Sequence, residues 1–298
     1  MFDFKKYKKS IEELFLTNNI DREEVNIFFC EFFNCSLPEL LLINSITKKQ
    51  KSKIDMLVKK RLKGCPIQKI FKRAYFFDYT FFVNNNVLCP RPETEILTEE
   101  CINYIYKIKQ NKKSDVEIDK KVDVLDLCTG SGCIAITIKS KTNANVVASD
   151  ISIKALSVAK KNAKKLGAKV KLIKSNLFKN INQKFDIIIS NPPYIPTNDV
   201  KNLDVEVKKY DPAIALDGGN DGLKFYKLIA TQSKKYLKNN GKIFLEVGIN
   251  ETESVKNLLI ENGFDCYIKK DYNNIDRIVV GDLKWLKNAI KLRKELKK

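Results

Sequence analysis

The run Val124-Leu125-Asp126-Leu127-Cys128-Thr129-Gly130-Ser131-Gly132-Cys133 joins an apolar segment to a glycine-rich turn. Glycines at such a turn let the backbone approach a ligand closely, and a following helix offers free N–H groups. No Gly-Lys-Ser/Thr follows, so the turn is not a Walker loop, and the three-glycine dinucleotide fingerprint is incomplete. A second apolar run ends in Ala148-Ser149-Asp150, about 20 residues beyond the turn, where a strand-end carboxylate accepts from both hydroxyls of a ribose. Turn and carboxylate together predict an adenosine pocket, with capping of the next helix as a compatible role for Asp150. Ser175-Asn176-Leu177-Phe178, after a third apolar run, offers polar and apolar contacts for an adenine amino group and ring.

Asn191-Pro192-Pro193-Tyr194 closes the run Phe185–Ser190. Two successive prolines stiffen the backbone and remove two N–H donors, so the loop presents carbonyl acceptors beside one Asn carboxamide. Such acceptors suit a substrate NH2 group. A planar amide or exocyclic amine is a poor nucleophile, and accepting hydrogen bonds from its hydrogens orients the nitrogen toward an electrophile. Tyr194 can pack on the planar group.

These residues need a frame. Apolar runs at Val122–Leu127, Asn145–Asp150, Ala168–Ile173, Phe185–Ser190 and Gly241–Val247 alternate with helical segments near 133–140, 153–166 and 222–238. That alternation predicts a doubly wound, mostly parallel α/β sheet with ligands at the carboxyl ends of its strands. Residues 91–298 are read as this domain, with a helix from Thr94 to Lys109 near its start and a solvated helix in the Lys-rich tail from Lys284. Residues 1–66 read as a small helical domain. There, Asp21 with Glu24 makes a capping-box-like start to a helix carrying Val25, Phe28, Phe29 and Phe32 on one face. Ser36 opens a second helix, and Ile54, Leu57, Val58, Arg61 and Leu62 continue the helical period until Gly64 and Pro66. Residues 67–90, aromatic and β-branched, read as a β-hairpin linker.

Composition narrows the chemistry. The 298 residues include no His, which excludes Ser-His-Asp triads and His-ligated zinc. The formal charge is +19, but only six of the 55 basic residues are Arg, the residue that reads phosphate and guanine in bidentate fashion. Nucleic-acid binding is therefore compatible with the charge and not indicated by the residue types. None of the eight cysteines forms a CxxC pair, and no metal is expected. No apolar run reaches the roughly 20 residues of a membrane span, and the amino terminus lacks a secretory apolar core. A cytoplasmic location is expected.

DLCTGSG, the strand-end Asp150 and SNPPY together resemble class I S-adenosylmethionine-dependent amino methyltransferases. More narrowly, VLCPRPETE at 87–95, SNPPYIP at 190–196, YDPAIALDGGNDGLKFY at 210–226, FLEVG at 244–248 and IDRIVVG at 275–281 resemble the release-factor glutamine N5-methyltransferases. The resemblance implies S-adenosylmethionine as cofactor and S-adenosylhomocysteine as product. It implies that Cys128, Thr129, Gly130, Ser131 and Gly132 line the methionine part, that Asp150 holds the ribose, and that Asn176 and Leu177 flank the adenine. Asn191 and Pro192 would hold the substrate glutamine amide, with Pro193 and Tyr194 shaping its slot and Asn191 also bordering the cofactor. Asn191, Pro192 and Tyr194 are thus the expected catalytic residues, a peptide chain release factor the expected partner, and the helical domain its docking element. Cys128 stands where the family often has Gly, Asn176 where it often has Asp, and Leu177 where an aromatic is frequent.

The loop 90–94 and Glu246 are expected to border the site, with an Arg91–Glu93 ion pair as a structural alternative. Two other readings share the motifs: an adenine-N6 methyltransferase using Asn191–Tyr194 on a flipped base, and a catalytically silent nucleic-acid-binding relative suited to the +19 charge.

Overall fold

The computed structural model describes residues 1–110 and 121–283, so the helix expected from Lys284 lies outside the described residues. The chain divides into two units: Met1–Arg73 with Asp204–Tyr210, and Ala74–Leu203 with the residues from Asp211 on.

In the first unit, β1 (Phe2–Asp3) pairs antiparallel with β2 (Ser45–Ile46), and the helices are α1 (Phe4–Leu16), α2 (Glu24–Phe33), α3 (Leu37–Leu41), α4 (Lys48–Leu62) and α5 (Ile67–Phe71). The aromatic stripe is core: Val25, Phe28 and Phe29 are fully buried, and Phe28 meets Phe29 edge-to-face at 5.5 Å between ring centroids. Phe32 is only partly buried and packs edge-to-face on Phe33. Ser36 caps α3 in a capping box with Glu39. The box expected of Asp21 and Glu24 does not form. Asp21 accepts from the Glu23 N–H at 2.9 Å, while Arg61 takes the Glu24 carboxylate through Nε and Nη2 at 2.8 and 2.9 Å. Arg61 is only 4% exposed and also pairs with Glu206 at 2.6 Å. A guanidinium buried this deeply is tolerated because carboxylates flank it.

In chain order β3 (Arg73–Phe76) and β4 (Tyr79–Phe82) form the expected hairpin, followed by α6 (Pro92–Gln110). The large sheet then builds from β5 (Asp123–Leu127), α7 (Cys133–Thr142), β6 (Asn145–Asp150), α8 (Ile153–Lys165), β7 (Lys171–Lys174) and β8 (Phe185–Ser190). Short helices α9 (Thr197–Val200) and α10 (Val205–Tyr210) precede α11 (Lys224–Tyr236), β9 (Leu237–Glu246), α12 (Thr252–Glu261), β10 (Phe264–Lys270) and β11 (Asp276–Leu283). The seven strands run in the order β10-β11-β9-β8-β5-β6-β7. β9, β8, β5, β6 and β7 are parallel, and β10 and β11 add an antiparallel edge that the pattern of apolar runs does not predict.

Alternation along the central strands feeds two cores. Val124, Ile187, Ile189 and Phe244 pack with α6 and α7 on one face; Leu125, Leu127, Ile188 and Leu245 pack with α11 and α12 on the other. Burial on both faces explains why these strands read as nearly continuous apolar runs. The chain steps outward from β5 through β6 to β7 on one side and through β8 to β9 on the other, so a crevice opens at the carboxyl ends of β5 and β8. Among the described residues no helix is long and apolar enough to cross a membrane.

Candidate active site

The turn after β5 is held from beneath. Ser190 Oγ donates to the Leu127 carbonyl at 2.8 Å, and the Thr129 N–H donates to the Ser149 carbonyl at 3.0 Å. Cys128 adopts a left-handed φ of 60° at the bend, which is why glycine suits this position. Gly130 also has positive φ, and among the described residues beyond its chain neighbours the nearest atom a Cβ there would meet is the Cys128 carbonyl oxygen at 4.0 Å. Its bare backbone is open to a ligand. Gly132 serves differently: a Cβ would stand 3.0 Å from Ile136 and 3.1 Å from Ala159, so its lack of a side chain lets α8 pack against the start of α7.

Asp150 at the end of β6 accepts from the Gly130 N–H through Oδ2 at 2.9 Å and from the Ser152 N–H through Oδ1 at 2.8 Å. Burial raises its carboxyl pKa, and these backbone donors oppose the rise. The cap of α8 is Ser152, which accepts from the Ala155 N–H at 3.2 Å, so Asp150 retains acceptor capacity toward the crevice. Beneath the turn Asp126 is wholly buried, accepts from Thr129 Oγ1 at 2.6 Å, and is pushed up to about 7 by desolvation.

These elements enclose a cavity of about 320 Å3, within the range of small-molecule sites. Cys128, Thr129, Gly130, Ser131, Asp150, Asn176, Leu177, Asn191 and Pro193 all line it, with Thr94 and Arg91. Gly132, Pro192 and Tyr194 are not among its lining residues. Phe178, offered as an adenine contact, is fully buried and stacks on Tyr236 at 4.6 Å. Ile151 and Leu177 give the Asp150 side an apolar border. Open backbone at Gly130, a carboxylate beside it and apolar flanks fit a nucleoside-bearing cofactor.

Tyr194 is fixed by a glycine cradle. A Cβ on Gly218 would lie 2.7 Å from Tyr194 Cα, and one on Gly222 would lie 2.5 Å from the Tyr194 carbonyl oxygen. The glycines of LDGGNDG therefore give the Asn191–Tyr194 loop its seat. Burial pushes the Tyr194 phenol up to about 12, keeping it neutral.

Asn191 Nδ2 donates to Thr94 Oγ1 at 3.1 Å, and Thr94 Oγ1 donates to Glu246 Oε2 at 2.6 Å. Glu246 is 2% exposed, and burial pushes its carboxyl up to about 7. Pro90, Arg91 and Thr94 of loop 90–94 line the cavity, whereas Glu246 does not and meets it through its hydrogen bond from Thr94; Arg91 faces Asp211 at 3.9 Å rather than Glu93. Among the described residues no cluster of His, Cys, Asp or Glu could hold a metal, and none of the eight cysteines is joined in a disulfide.

A doubly wound sheet with a glycine turn and a strand-end carboxylate at its switch point is the framework of a class I methyltransferase. A methyltransferase from Pyrococcus furiosus shares the fold, with a TM-score of 0.51 at 18% identity over 79% of this chain and 99% of that one. Residues 112–207 match the methyltransferase small domain family. A release factor glutamine methyltransferase from Geobacter sulfurreducens is 40% identical over 228 residues, 76% of each chain. One from Thermodesulfovibrio yellowstonii is 35% identical over 275 residues, covering 91% of this chain and 95% of that one. The chain belongs to the release factor glutamine methyltransferase family.

Proposed function

We propose that this protein transfers a methyl group from S-adenosylmethionine to the side-chain amide nitrogen, N5, of a glutamine in a peptide chain release factor. The observation that carries the reading is the placement of Asn191, at the carboxyl end of β8, in the same cavity wall as Gly130 and Asp150. An amide-orienting group thereby shares a cavity with the features that suit an adenosine-bearing cofactor.

When bound, S-adenosylmethionine supplies a methyl group on a sulfonium, already activated for transfer. Asp150 would hold the ribose hydroxyls of that cofactor, the Cys128–Gly132 turn its methionine part, and Asn176 and Leu177 its adenine. Asn191 Oδ1 and the Pro192 carbonyl accept from the two hydrogens of the glutamine NH2, while Pro193 and Tyr194 shape its slot. Holding that planar group turns the nitrogen toward the methyl donor, and orientation supplies most of what the protein must contribute. This chain contributes no imidazole base, and the proton that the amide nitrogen loses as the new N–C bond forms passes to water. Residues 1–66 serve as the docking element for the release factor, and the reaction is a cytoplasmic one.

The test is transfer of labelled methyl to purified release factor, with duplex DNA and RNA as parallel acceptors and Asn191→Ala as the control. Label on a release-factor glutamine, lost in Asn191→Ala while cofactor binding persists, is the expected result. Label on adenine would transfer the assignment to a nucleic-acid methyltransferase, and equal turnover by Asn191→Ala would remove Asn191 from the reaction.

A further inference from the structure

We propose that Thr94 and Glu246 are positioning residues that fix which end of the Asn191 carboxamide faces the acceptor nitrogen; this rests on the transfer reading above. The two ends of a carboxamide have nearly the same shape and opposite hydrogen-bonding character. With Oδ1 toward the substrate, Asn191 accepts a hydrogen from the glutamine NH2. Flipped, it aims two N–H donors at another donor, and the nucleophile is turned away.

The structure supplies the device that prevents the flip. Thr94 has one hydroxyl hydrogen, and it is given to Glu246 Oε2 at 2.6 Å. The Thr94 oxygen therefore faces Asn191 as an acceptor, and takes a hydrogen from Nδ2 at 3.1 Å. The Asn191 carboxamide also opposes the rise in the Glu246 pKa, as a donor turned toward a carboxylate does. Both interactions demand the NH2 end and leave Oδ1 for the ligand. An unprotonated oxygen of Glu246 accepts the Thr94 hydrogen whether the carboxyl is charged or neutral, so the polarity of the relay persists in both forms.

Burial gives the relay its authority. Thr94 and Glu246 are 3% and 2% exposed, so little water competes for these groups. The three residues come from the start of α6, the turn after β8 and the last position of β9, and β8 and β9 are adjacent parallel strands with Ser190 beside Leu245. A buried carboxylate at that position is costly unless it is hydrogen-bonded, and its partners here are the groups that orient Asn191.

The experiment compares wild type with Thr94→Val, Thr94→Ser and Glu246→Gln, measuring kcat and KM on release factor, S-adenosylmethionine Kd by calorimetry, and thermal midpoint. Thr94→Val, which removes the acceptor, and Glu246→Gln, whose new NH2 favours the flipped amide, each should lower kcat roughly 100-fold, with cofactor Kd and release-factor KM preserved. Thr94→Ser keeps the hydroxyl and should retain wild-type kcat. Undiminished kcat in Thr94→Val overturns the relay. So does a parallel loss of kcat, cofactor affinity and thermal midpoint in both disruptive variants, which marks the pair as scaffold. Wild type that places no label on the release factor overturns the transfer reading itself, and the relay with it.

Discussion

Asn162 and Phe82 pair as two backbone segments would: Asn162 Oδ1 accepts from the Phe82 N–H at 2.7 Å, and Nδ2 donates to the Phe82 carbonyl at 2.9 Å. The same Nδ2 donates to the Ser131 carbonyl at 2.9 Å, and the side chain is fully buried. One carboxamide on α8 thus ties the hairpin strand β4 to the glycine turn. Asn162→Leu strands buried donors and acceptors, each costing about 1–3 kcal/mol. Urea denaturation should show a midpoint well below wild type, with cofactor affinity also reduced because Ser131 lines the cavity.

Gly218 and Gly222 press on the Tyr194 backbone at distances no Cβ could occupy. Gly218→Ala should displace the Asn191–Tyr194 loop, and a displacement of about 1 Å costs on the order of 100-fold in rate. Steady-state kinetics should place the loss in kcat, leaving cofactor Kd near wild type.

The left-handed φ of Cys128 sets a rule for substitution there. Glycine adopts that conformation freely, whereas a β-branched side chain pays about 1–3 kcal/mol in strain. Cys128→Gly should fold and bind cofactor; Cys128→Val should melt lower and bind cofactor weakly. Equal melting temperatures for the two variants would contradict the assignment of strain to this bend.

Asp126 and Glu246 both sit near 7, raised by burial above the usual carboxyl range. Between the unfolded and folded pKa values, the native state holds more protons than the unfolded chain, so stability falls as pH rises through that window. The stabilising contribution of these groups is full at acid pH and gone above about 7. Thermal midpoints measured from pH 5 to pH 8 should decline, and Asp126→Asn, which cannot ionise, should show a shallower decline. An identical slope in the variant would exclude Asp126 as a source of the dependence.

The sequence revealed what local pattern controls. β5, β6 and β8 stand where the apolar runs place them, because strands buried on both faces need no polar alternation. The edge behaved differently. β7 begins at Lys171 rather than Ala168, and β10 carries Lys and Asp among its apolar residues, as befits strands with one side toward solvent. In the site, the turn and Asp150 were legible because a single βαβ unit positions them. The Thr94–Glu246 bond joins residues 152 positions apart, and no local spacing reports it. The orientation of Tyr194 into a glycine cradle was hidden for the same reason, since Gly218 and Gly222 reach it only through tertiary folding.

The first unit is not one stretch of sequence, because it includes Asp204–Tyr210 as well as Met1–Arg73. The polypeptide accordingly passes between the units at three places: after Arg73, after Leu203 and after Tyr210. A protease cut after Arg73 would leave a nicked molecule whose amino-terminal fragment is still held, through Arg61 on Glu206, by a piece of chain belonging to the other fragment. A chain beginning at Ala74 would keep that Glu206 segment and lose its guanidinium partner. Excision of the helical unit is therefore never a clean removal, and activity lost on truncation reports on the orphaned segment as well as on the missing helices.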